Sequence, residues 1–146
     1  MKPEVSVVIP VFNEVDNIEP LAREIAAALA GRSFEVIYID DGSTDATAAT
    51  VLRLRGAGVA PLRLLQHSRR SGQSAGVCTG VAHAQADRVV TLDGDGQNDP
   101  ADIPMLLAKL DEGYDLVSGW RKDRKDNRFT RTIPSNMANG LISWAT

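Results

Sequence analysis

Near the start of this 146-residue chain stands Glu4-Val-Ser-Val-Val-Ile-Pro-Val-Phe12, a nearly continuous apolar run. A run without alternating polar residues is typical of a parallel strand that is covered on both faces. Similar runs recur along the chain and predict further strands at residues 34–39, 62–66, 88–92 and 115–120. The chain is therefore expected to form a sheet whose strands are buried on both sides.

The segments between these runs have helical spacing of their apolar residues. Capping residues are expected at the helix starts, namely an acidic capping box of Asp16 with Glu19, then Ser43 or Thr44, then Ser71, and lastly Asp99 before Pro100. The resulting order, βαβαβαβαβ, predicts an α/β fold with an open, mostly parallel sheet, right-handed crossovers and helices on both faces.

The composition fits one globular domain with an ordinary core, since 43% of the residues are hydrophobic and 24% are charged. No apolar run is long enough to span a bilayer. The single cysteine, Cys78, cannot form an intrachain disulfide and lies in a small-residue stretch. A buried, unreactive thiol is expected there.

Charge is distributed unevenly along the chain. Residues 121–131 contain six basic and two acidic side chains, a local charge of +4, although the whole chain carries −3. One basic segment on an acidic body favours a local anionic partner over general nucleic-acid binding; a solvated loop is the alternative. Residues 133–146 then predict an amphipathic helix that ends without a cap, so we expect the chain to be a fragment of a longer protein.

Acidic residues follow the fourth predicted strand as Asp93-Gly-Asp-Gly-Gln97. Two carboxylates one residue apart in a glycine-containing turn can direct oxygen atoms at one point. Oxygen ligands suit Mg²⁺ and Mn²⁺, which often accompany diphosphates. The same residues are also ordinary turn formers, so a solvated turn is the alternative.

Other polar residues follow the remaining predicted strands. Asn13 and Glu14 follow the first strand, Asp40 and Asp41 the second, and Arg121 the fifth. Ligands of open α/β sheets collect at the carboxyl ends of the strands, so these residues are expected to converge with the Asp93 turn at one edge.

Three motifs in order, Val8-Ile-Pro-Val-Phe-Asn-Glu14, Ile39-Asp-Asp-Gly-Ser-Thr-Asp45 and Leu92-Asp-Gly-Asp-Gly-Gln97, closely resemble the inverting family-2 glycosyltransferases of the GT-A (Rossmann-like) fold. Within that family the chain is most similar to the dolichol-phosphate mannosyltransferase type, which includes bacterial polyprenyl-phosphate hexosyltransferases. Ser118-Gly-Trp-Arg121 and Arg131-Thr-Ile-Pro-Ser135-Asn-Met-Ala-Asn139 also match that subgroup.

The resemblance implies roles for individual residues. Those assigned to nucleotide-sugar binding are Pro10, Phe12, Asn13, Glu14, Asp40, Asp41 and Asp93, with Phe12 in place of the commoner tyrosine and Asp41 accepting a hydrogen bond from the base. The metal ligands are Asp93, Asp95 and Gln97, for Mg²⁺ or Mn²⁺. The catalytic set is Asp95 with Arg121 on phosphate and with Arg131 and Ser135 at the lipid-phosphate acceptor.

The resemblance further implies an inverting, metal-dependent transfer of a hexose from a GDP- or UDP-sugar to a dolichyl or undecaprenyl phosphate. Residues 1–120 would form the nucleotide-sugar-binding core, and residues 121–146 a basic acceptor loop with the start of a truncated helix. The complete protein would act at the cytoplasmic face of the membrane.

Three alternatives stay open at this point. One is a family-2 enzyme that glycosylates a glycan hydroxyl, and another is a fragment that binds donor without turnover. The third is a dinucleotide-binding or receiver-type α/β module, although the first turn has no glycine-rich pattern. The glycines at residues 72–80 favour close helix packing over a phosphate site. Of the two histidines, both expected to be structural or exposed, His67 follows a strand and is the one worth mutating.

Overall fold

The computed structural model of the protein describes residues 1–119. Strands and helices alternate along them as β1 (Val5–Val11), α1 (Val15–Ala28), β2 (Phe34–Asp40), α2 (Thr47–Gly56), β3 (Leu62–Gln66), α3 (Gln73–His83), β4 (Arg88–Thr91) and α4 (Ile103–Leu110). A short 3-10 helix, Pro100–Asp102, leads into α4. The alternation confirms the predicted α/β class. None of the helices in residues 1–119 combines the length and apolar character that crossing a bilayer requires.

The four strands form one parallel sheet in the order β3-β2-β1-β4. The chain builds the sheet outward from β1 to β2 and β3, and then returns to add β4 on the other side of β1. Strand order thus reverses between β1 and β4. In open α/β sheets the ligand crevice lies at the carboxyl ends of the strands at such a reversal.

Helices cover both faces of the sheet. The larger core joins one face of β1 and β2 to α1, α2 and α4, with Ile9, Ile25 and Leu107 at most 2% exposed. The smaller core lies on the opposite face, where α3 packs on β1 and β2. Removal of these apolar side chains from water is the main stabilising contribution to the fold.

Helix α3 lies unusually close to the sheet. A Cβ atom at Gly80 would stand 2.3 Å from Cγ1 of Val8, and one at Gly76 would stand 2.9 Å from Cβ of Pro10. The small residues of this stretch therefore serve close packing, as the sequence predicted. Cys78 lies on the outer side of the same helix and is exposed, so the expectation of a buried thiol was wrong.

A proline stands in the central strand, where it would normally remove a ladder hydrogen bond. The Leu92 N–H donates to the Val8 carbonyl at 3.1 Å, so the backbone groups of Val8 point towards β4. In a parallel strand the backbone N–H and C=O groups of every second residue point towards the same neighbouring strand. The backbone of Pro10, like that of Val8, therefore points towards β4. Pairing between β1 and β4 ends at Val8 and Thr91, so the missing N–H falls beyond the paired segment.

The predicted fifth strand is absent from its described part. Residues 115–119 have no regular secondary structure, and Leu116 is 36% exposed. Val117 contributes a half-buried side chain to an apolar hollow beside Val89 and α4, without joining the sheet. Apolar character alone suggested a strand, but these residues are not hydrogen-bonded to β4. The remainder of the predicted strand, Trp120, lies outside the described residues.

Most of the predicted helix caps were wrong. Helix α1 begins at Val15, with no side-chain cap, and the carboxylate of Glu19 instead binds Arg23 and Arg53. Helix α2 begins at Thr47, past both Ser43 and Thr44, and α3 begins after Gly72 with no bond from Ser71. Only the last prediction was confirmed, since Oδ1 of Asp99 accepts from the Ala101 N–H at 3.0 Å. Ser43 and Thr44, which the sequence predicted as caps, instead bind Asn13 in the loop after β1.

Candidate functional site

The loops after β1 and β2 are joined through Asn13, the one described non-glycine residue with a left-handed backbone (φ 51°). Its Oδ1 accepts from the Thr44 N–H at 2.8 Å and the Asp45 N–H at 3.3 Å, and its own N–H donates to Oγ of Ser43 at 2.9 Å. Asparagine tolerates this conformation better than most residues. Asn13 therefore fixes the shape of both loops.

The next residue continues this connection. The Glu14 N–H donates to Oγ1 of the buried Thr47 at 3.0 Å, and Thr47 donates its hydroxyl hydrogen to Asp45. That hydroxyl contact is the main reason that the pKa of Asp45 lies below its usual value. The Glu14 carboxylate accepts from the side-chain amide of Asn17 at 2.7 Å.

The two carboxylates at the end of β2, Asp40 and Asp41, are both buried. Oδ1 of Asp40 accepts from the Ser43 N–H at 3.0 Å and so shapes the turn in which Gly42 lies. Asp41 accepts from His67 Nδ1 and the Ser71 N–H through Oδ1, and from the Gly72 N–H through Oδ2, each at 2.8 Å. Asp41 thus holds the β3–α3 loop, which comprises residues 67–72.

Hydrogen bonding keeps Asp41 ionised. Burial alone would raise the pKa of this carboxyl, but the hydrogen bonds from His67, Ser71 and Gly72 outweigh burial and hold the pKa below its ordinary value. The Asp41 carboxylate is therefore a buried anion beside the β3–α3 loop, at the carboxyl edge of the sheet.

The glycine turn after β4 reaches the same place. Oδ1 of Asp93 accepts from Nε2 of Gln73 at 2.6 Å, and Gln73 directly follows the two residues whose N–H groups bind Asp41. Three consecutive residues, 71–73, therefore bridge the acidic groups that end β2 and β4. The predicted convergence of these two strand ends is confirmed.

Glycine is required for this approach. A Cβ atom at Gly94 would stand 2.6 Å from Cγ1 of Val11 and 3.2 Å from the Pro10 carbonyl oxygen. The turn thus lies against the carboxyl end of β1, at the reversal of strand order. Oδ1 of Asp95 accepts from the Gln97 N–H at 3.0 Å, and the Asp93 N–H donates to Oδ1 of Asn98 at 2.9 Å.

The aromatic ring of the site is covered by a cation. The guanidinium carbon of Arg70 lies 3.9 Å from the centre of the half-buried Phe12 ring. Such a contact is favourable because the ring face carries partial negative charge. A planar ligand that stacks on this face has to displace Arg70.

Comparison with known proteins shows the family to which the chain belongs. Residues 6–145 match the model of the family described as "Glycosyl transferase family 2". The chain belongs to glycosyltransferase family 2. It is 42% identical to the dodecaprenyl-phosphate galacturonate synthase of Rhizobium johnstonii, over 98% of this chain and 43% of the relative. It is also 42% identical to an undecaprenyl-phosphate 4-deoxy-4-formamido-L-arabinose transferase of Klebsiella pneumoniae, over 98% of this chain and 44% of the relative.

Solved structures of glycosyltransferases share the fold, which is of the GT-A type. A mannosyltransferase of Pyrobaculum calidifontis, in complex with GDP-Man and Mn²⁺, matches with a TM-score of 0.61 and 28% identity, over 70% of this chain and 30% of that one. The glucosyl-3-phosphoglycerate synthase of Mycobacterium tuberculosis, in complex with Mn²⁺, UDP and glucosyl-3-phosphoglycerate, matches with a TM-score of 0.62 and 28% identity. The match covers 78% of this chain and 42% of that one. The chain thus spans less than half the length of these curated relatives and solved structures.

The donor set of this family-2 chain fits a hard divalent cation that a diphosphate helps to bind. Within residues 1–119 no group of three or more acidic, histidine or cysteine side chains is arranged to hold a metal by itself. Mg²⁺ typically takes only one or two carboxylates and completes its coordination with phosphate oxygens and water. Asp93 and Asp95, with the side-chain oxygen of Gln97, are the oxygen donors on this turn that could hold such a cation.

Three residues predicted for the site, Arg121, Arg131 and Ser135, lie outside the described residues. Conversely, the sequence did not predict the contacts that Gln73 and Arg70 make, and it did not predict that His67 binds Asp41. Gln73 and Arg70 had no signal, because their partners are distant in sequence. His67 was recognised only as a histidine that follows a strand.

Proposed function

We propose that this chain carries the nucleotide-sugar site of an enzyme that transfers a hexose to a polyprenyl phosphate. The supporting observation is the bridge formed by residues 71–73 between Asp41 and Asp93. It gathers a nucleoside-reading carboxylate and a metal-binding carboxylate at the reversal of strand order. The two relatives, a dodecaprenyl-phosphate galacturonate synthase and an undecaprenyl-phosphate 4-deoxy-4-formamido-L-arabinose transferase, support the acceptor class.

The roles within the site follow from the chemistry of each group. Asp41 accepts an N–H of the uracil or guanine edge, since an ionised carboxylate is only an acceptor. Phe12 stacks on the base once Arg70 has moved, and Pro10, Asn13, Glu14 and Asp40 shape the surrounding loops. Asp93, Asp95 and Gln97 hold Mg²⁺ or Mn²⁺, which when bound neutralises charge on the departing diphosphate.

The reaction is a single displacement at the anomeric carbon. An oxygen of the acceptor phosphate forms a bond to that carbon while the bond to the diphosphate oxygen breaks, and the electron pair leaves with the nucleoside diphosphate. The acceptor is already an anion near neutral pH, so no general base is required. Attack opposite the leaving group inverts the anomeric configuration.

The proposed acceptor-binding residues lie beyond residue 119, and their roles are proposed from the resemblance to polyprenyl-phosphate hexosyltransferases. Arg121 would bind phosphate, because its planar group of donors suits phosphate oxygens. Arg131 and Ser135 would bind the lipid phosphate. We propose that the complete protein acts on this acceptor at the cytoplasmic face of the membrane.

Donor binding is tested by calorimetric titration of the 146-residue protein with UDP and with GDP, each with and without Mn²⁺. The proposal expects one nucleotide to bind more tightly than the other, and more tightly with the cation. If neither nucleotide binds under any condition, the proposal fails.

Transfer is tested with a radiolabelled nucleoside-diphosphate hexose of the preferred base and undecaprenyl phosphate in detergent. Label in the solvent-extractable lipid supports the proposed acceptor. Label in a water-soluble glycan would support the hydroxyl-acceptor alternative instead. Nucleotide binding without transfer would reduce the proposal to a donor-binding module.

A further inference from the structure

His67 lies where three elements of the site meet. It directly follows β3, and its backbone N–H donates to the Asp40 carbonyl at 2.9 Å, which continues the pairing of β2 with β3. Its side chain is 15% exposed, and the side chain of Asp41 beside it is 6% exposed. The ring is therefore held by the sheet and largely withdrawn from water.

Both ring nitrogens of His67 have partners. Nδ1 lies 2.8 Å from Oδ1 of Asp41, and Nε2 lies 2.8 Å from Oγ1 of Thr79 on α3. An ionised carboxylate only accepts hydrogen bonds, so the Nδ1 atom must carry a hydrogen. In the neutral ring Nε2 then accepts from the Thr79 hydroxyl, and this second contact fixes the ring plane.

This arrangement makes the two oxygens of Asp41 unequal. Each carboxylate oxygen offers two lone pairs. Oδ1 accepts from both His67 and Ser71, whereas Oδ2 accepts only from Gly72 among residues 1–119. Oδ2 therefore keeps acceptor capacity for a further donor, and His67 decides which oxygen that is.

We propose that His67, fixed by Thr79, is a positioning residue that orients Asp41 so that Oδ2 receives the N–H of the donor's base. The inference rests on the proposed nucleotide-sugar site and adds a determinant of its base selectivity. Without His67, Oδ1 regains a free lone pair, and only the Ser71 and Gly72 N–H groups hold the carboxylate. A base would then meet either oxygen, with poorer alignment for the N–H that distinguishes it.

The test compares two ligands that differ at that nitrogen, where a methyl group replaces the hydrogen in the second. The first is UDP or GDP, whichever the 146-residue protein prefers, and the second is the same nucleotide with its ring N–H methylated (3-methyl-UDP or 1-methyl-GDP). Binding is measured by calorimetry with Mn²⁺. Asp41→Ala, measured alongside, reports whether Asp41 reads the base at all.

His67→Phe keeps a ring of similar size and removes both hydrogen bonds. It is expected to weaken the unmodified nucleotide by about tenfold, the loss of one hydrogen bond to a charged group, and to leave the methylated nucleotide unchanged. His67→Asn places an N–H near the position of Nδ1 and is expected to stay within about threefold of wild type.

Thr79 provides a second route, because no role in ligand binding is proposed for it. Thr79→Val keeps the shape and removes the hydroxyl, with an expected loss of about threefold for the unmodified nucleotide alone. Thr79→Ser keeps the hydroxyl and should bind like wild type. Thermal melting of each variant shows whether it folds.

Equal weakening of both nucleotides by His67→Phe would overturn the inference, since a purely structural role predicts that result. Unchanged binding by His67→Phe and Thr79→Val, with Asp41→Ala still impaired, would also overturn it while leaving the proposed function intact. Unchanged binding by Asp41→Ala would instead remove the base-reading role of Asp41 from the proposed function.

Discussion

Two buried carboxylates belong to the two ends of strand β2, Glu35 near its start and Asp41 just past its end. They are 5% and 4% exposed, and each accepts two hydrogen bonds at one oxygen and one at the other. Glu35 accepts from the Ser6 hydroxyl and the Gln85 N–H through Oε1, and from Arg63 through Oε2. The two sites are thus alike in burial and in hydrogen bonding.

They differ in how the negative charge is compensated. Arg63 lies 2.7 Å from Glu35 and also donates to the His83 carbonyl, so this group ties β3 to the end of α3. Asp41 has no lysine or arginine among its described partners. A buried charge without a cationic partner is costly and is retained where function requires it. We interpret Glu35 as a structural carboxylate and Asp41 as a functional one.

The strongest way to break this comparison is Glu35→Ala. The change leaves Arg63 and the Gln85 N–H without their acceptor, so we expect the free energy of unfolding to fall by roughly 2–4 kcal/mol, reduced from the full buried-pair penalty because Arg63 reaches solvent. Urea denaturation measures this. Asp87→Ala removes an exposed ion pair with Lys2 and should cost less than about 1 kcal/mol. Similar losses in the two variants would contradict the structural interpretation of Glu35.

Asp41→Ala should weaken ligand binding, and it should also lower stability because His67 and the Ser71 and Gly72 N–H groups lose their acceptor. We expect the affinity for the preferred nucleoside diphosphate to fall by roughly 1–3 kcal/mol, because a buried donor of the base loses its acceptor. Calorimetry of the variant measures the loss, and Asp16→Ala, an exposed carboxylate in α1, is the control. If Asp41→Ala binds as tightly as wild type, the functional interpretation is wrong.

Asp95→Ala sharpens the comparison by removing only the metal-dependent share of binding. The described bond of Asp95 joins it to Gln97, two residues away, so the fold should persist. We expect Mn²⁺ to improve nucleotide affinity in wild type and in the exposed-site control Asp102→Ala, but not in Asp95→Ala. A preserved Mn²⁺ effect would exclude Asp95 as a ligand.

Acidification should produce the smallest effect and should involve both carboxylates. Burial alone would raise the pKa of Glu35, but hydrogen bonds from Ser6, Gln85 and Arg63 hold that pKa below the ordinary value of a glutamate. A depressed folded-state pKa gives stability that is present above the unfolded pKa and lost as pH falls through the folded value. Wild type should therefore lose stability below about pH 4.5, and Glu35→Gln should lose less. Urea midpoints between about pH 3 and about pH 6 measure the difference, and parallel pH profiles would count against it.

Four of the five predicted strands, and their order along the chain, were predictable because a strand buried on both faces of a parallel sheet needs a continuous apolar run. Continuous apolar runs such as residues 4–12 are typical of strands that helices cover on both faces of a sheet. Asp41 and Asp93 lie at the ends of two such runs, so their position at the edge of the sheet was predictable as well. The helix starts were harder. Ser43 and Thr44 look like caps locally, yet the structure uses them to bind Asn13, a partner about 30 residues away. A cap and a tertiary contact need the same donors and acceptors.

The positioning contacts of the site were not predictable for the same reason. Gln73 meets Asp93 across 20 residues, and His67 meets Asp41 across 26. Neither residue type at a loop or helix start indicates such a partner. The failed fifth strand shows the converse, since Leu116 and Val117 have side chains suited to a strand but lie in the described segment 115–119, which has no regular secondary structure.

The glycines of α3 have a consequence for the accuracy of the site. Gly80 lies seven residues from Gln73, roughly 10 Å along a stiff rod. A single methyl group at position 80 would collide with the branched side chains beneath it and tilt or raise that rod as a unit. Its front end would then carry the Gln73 amide away from the acidic turn. The position of Gln73 at the proposed nucleotide-sugar site is thus set two helical turns away, by the absence of a side chain at Gly80.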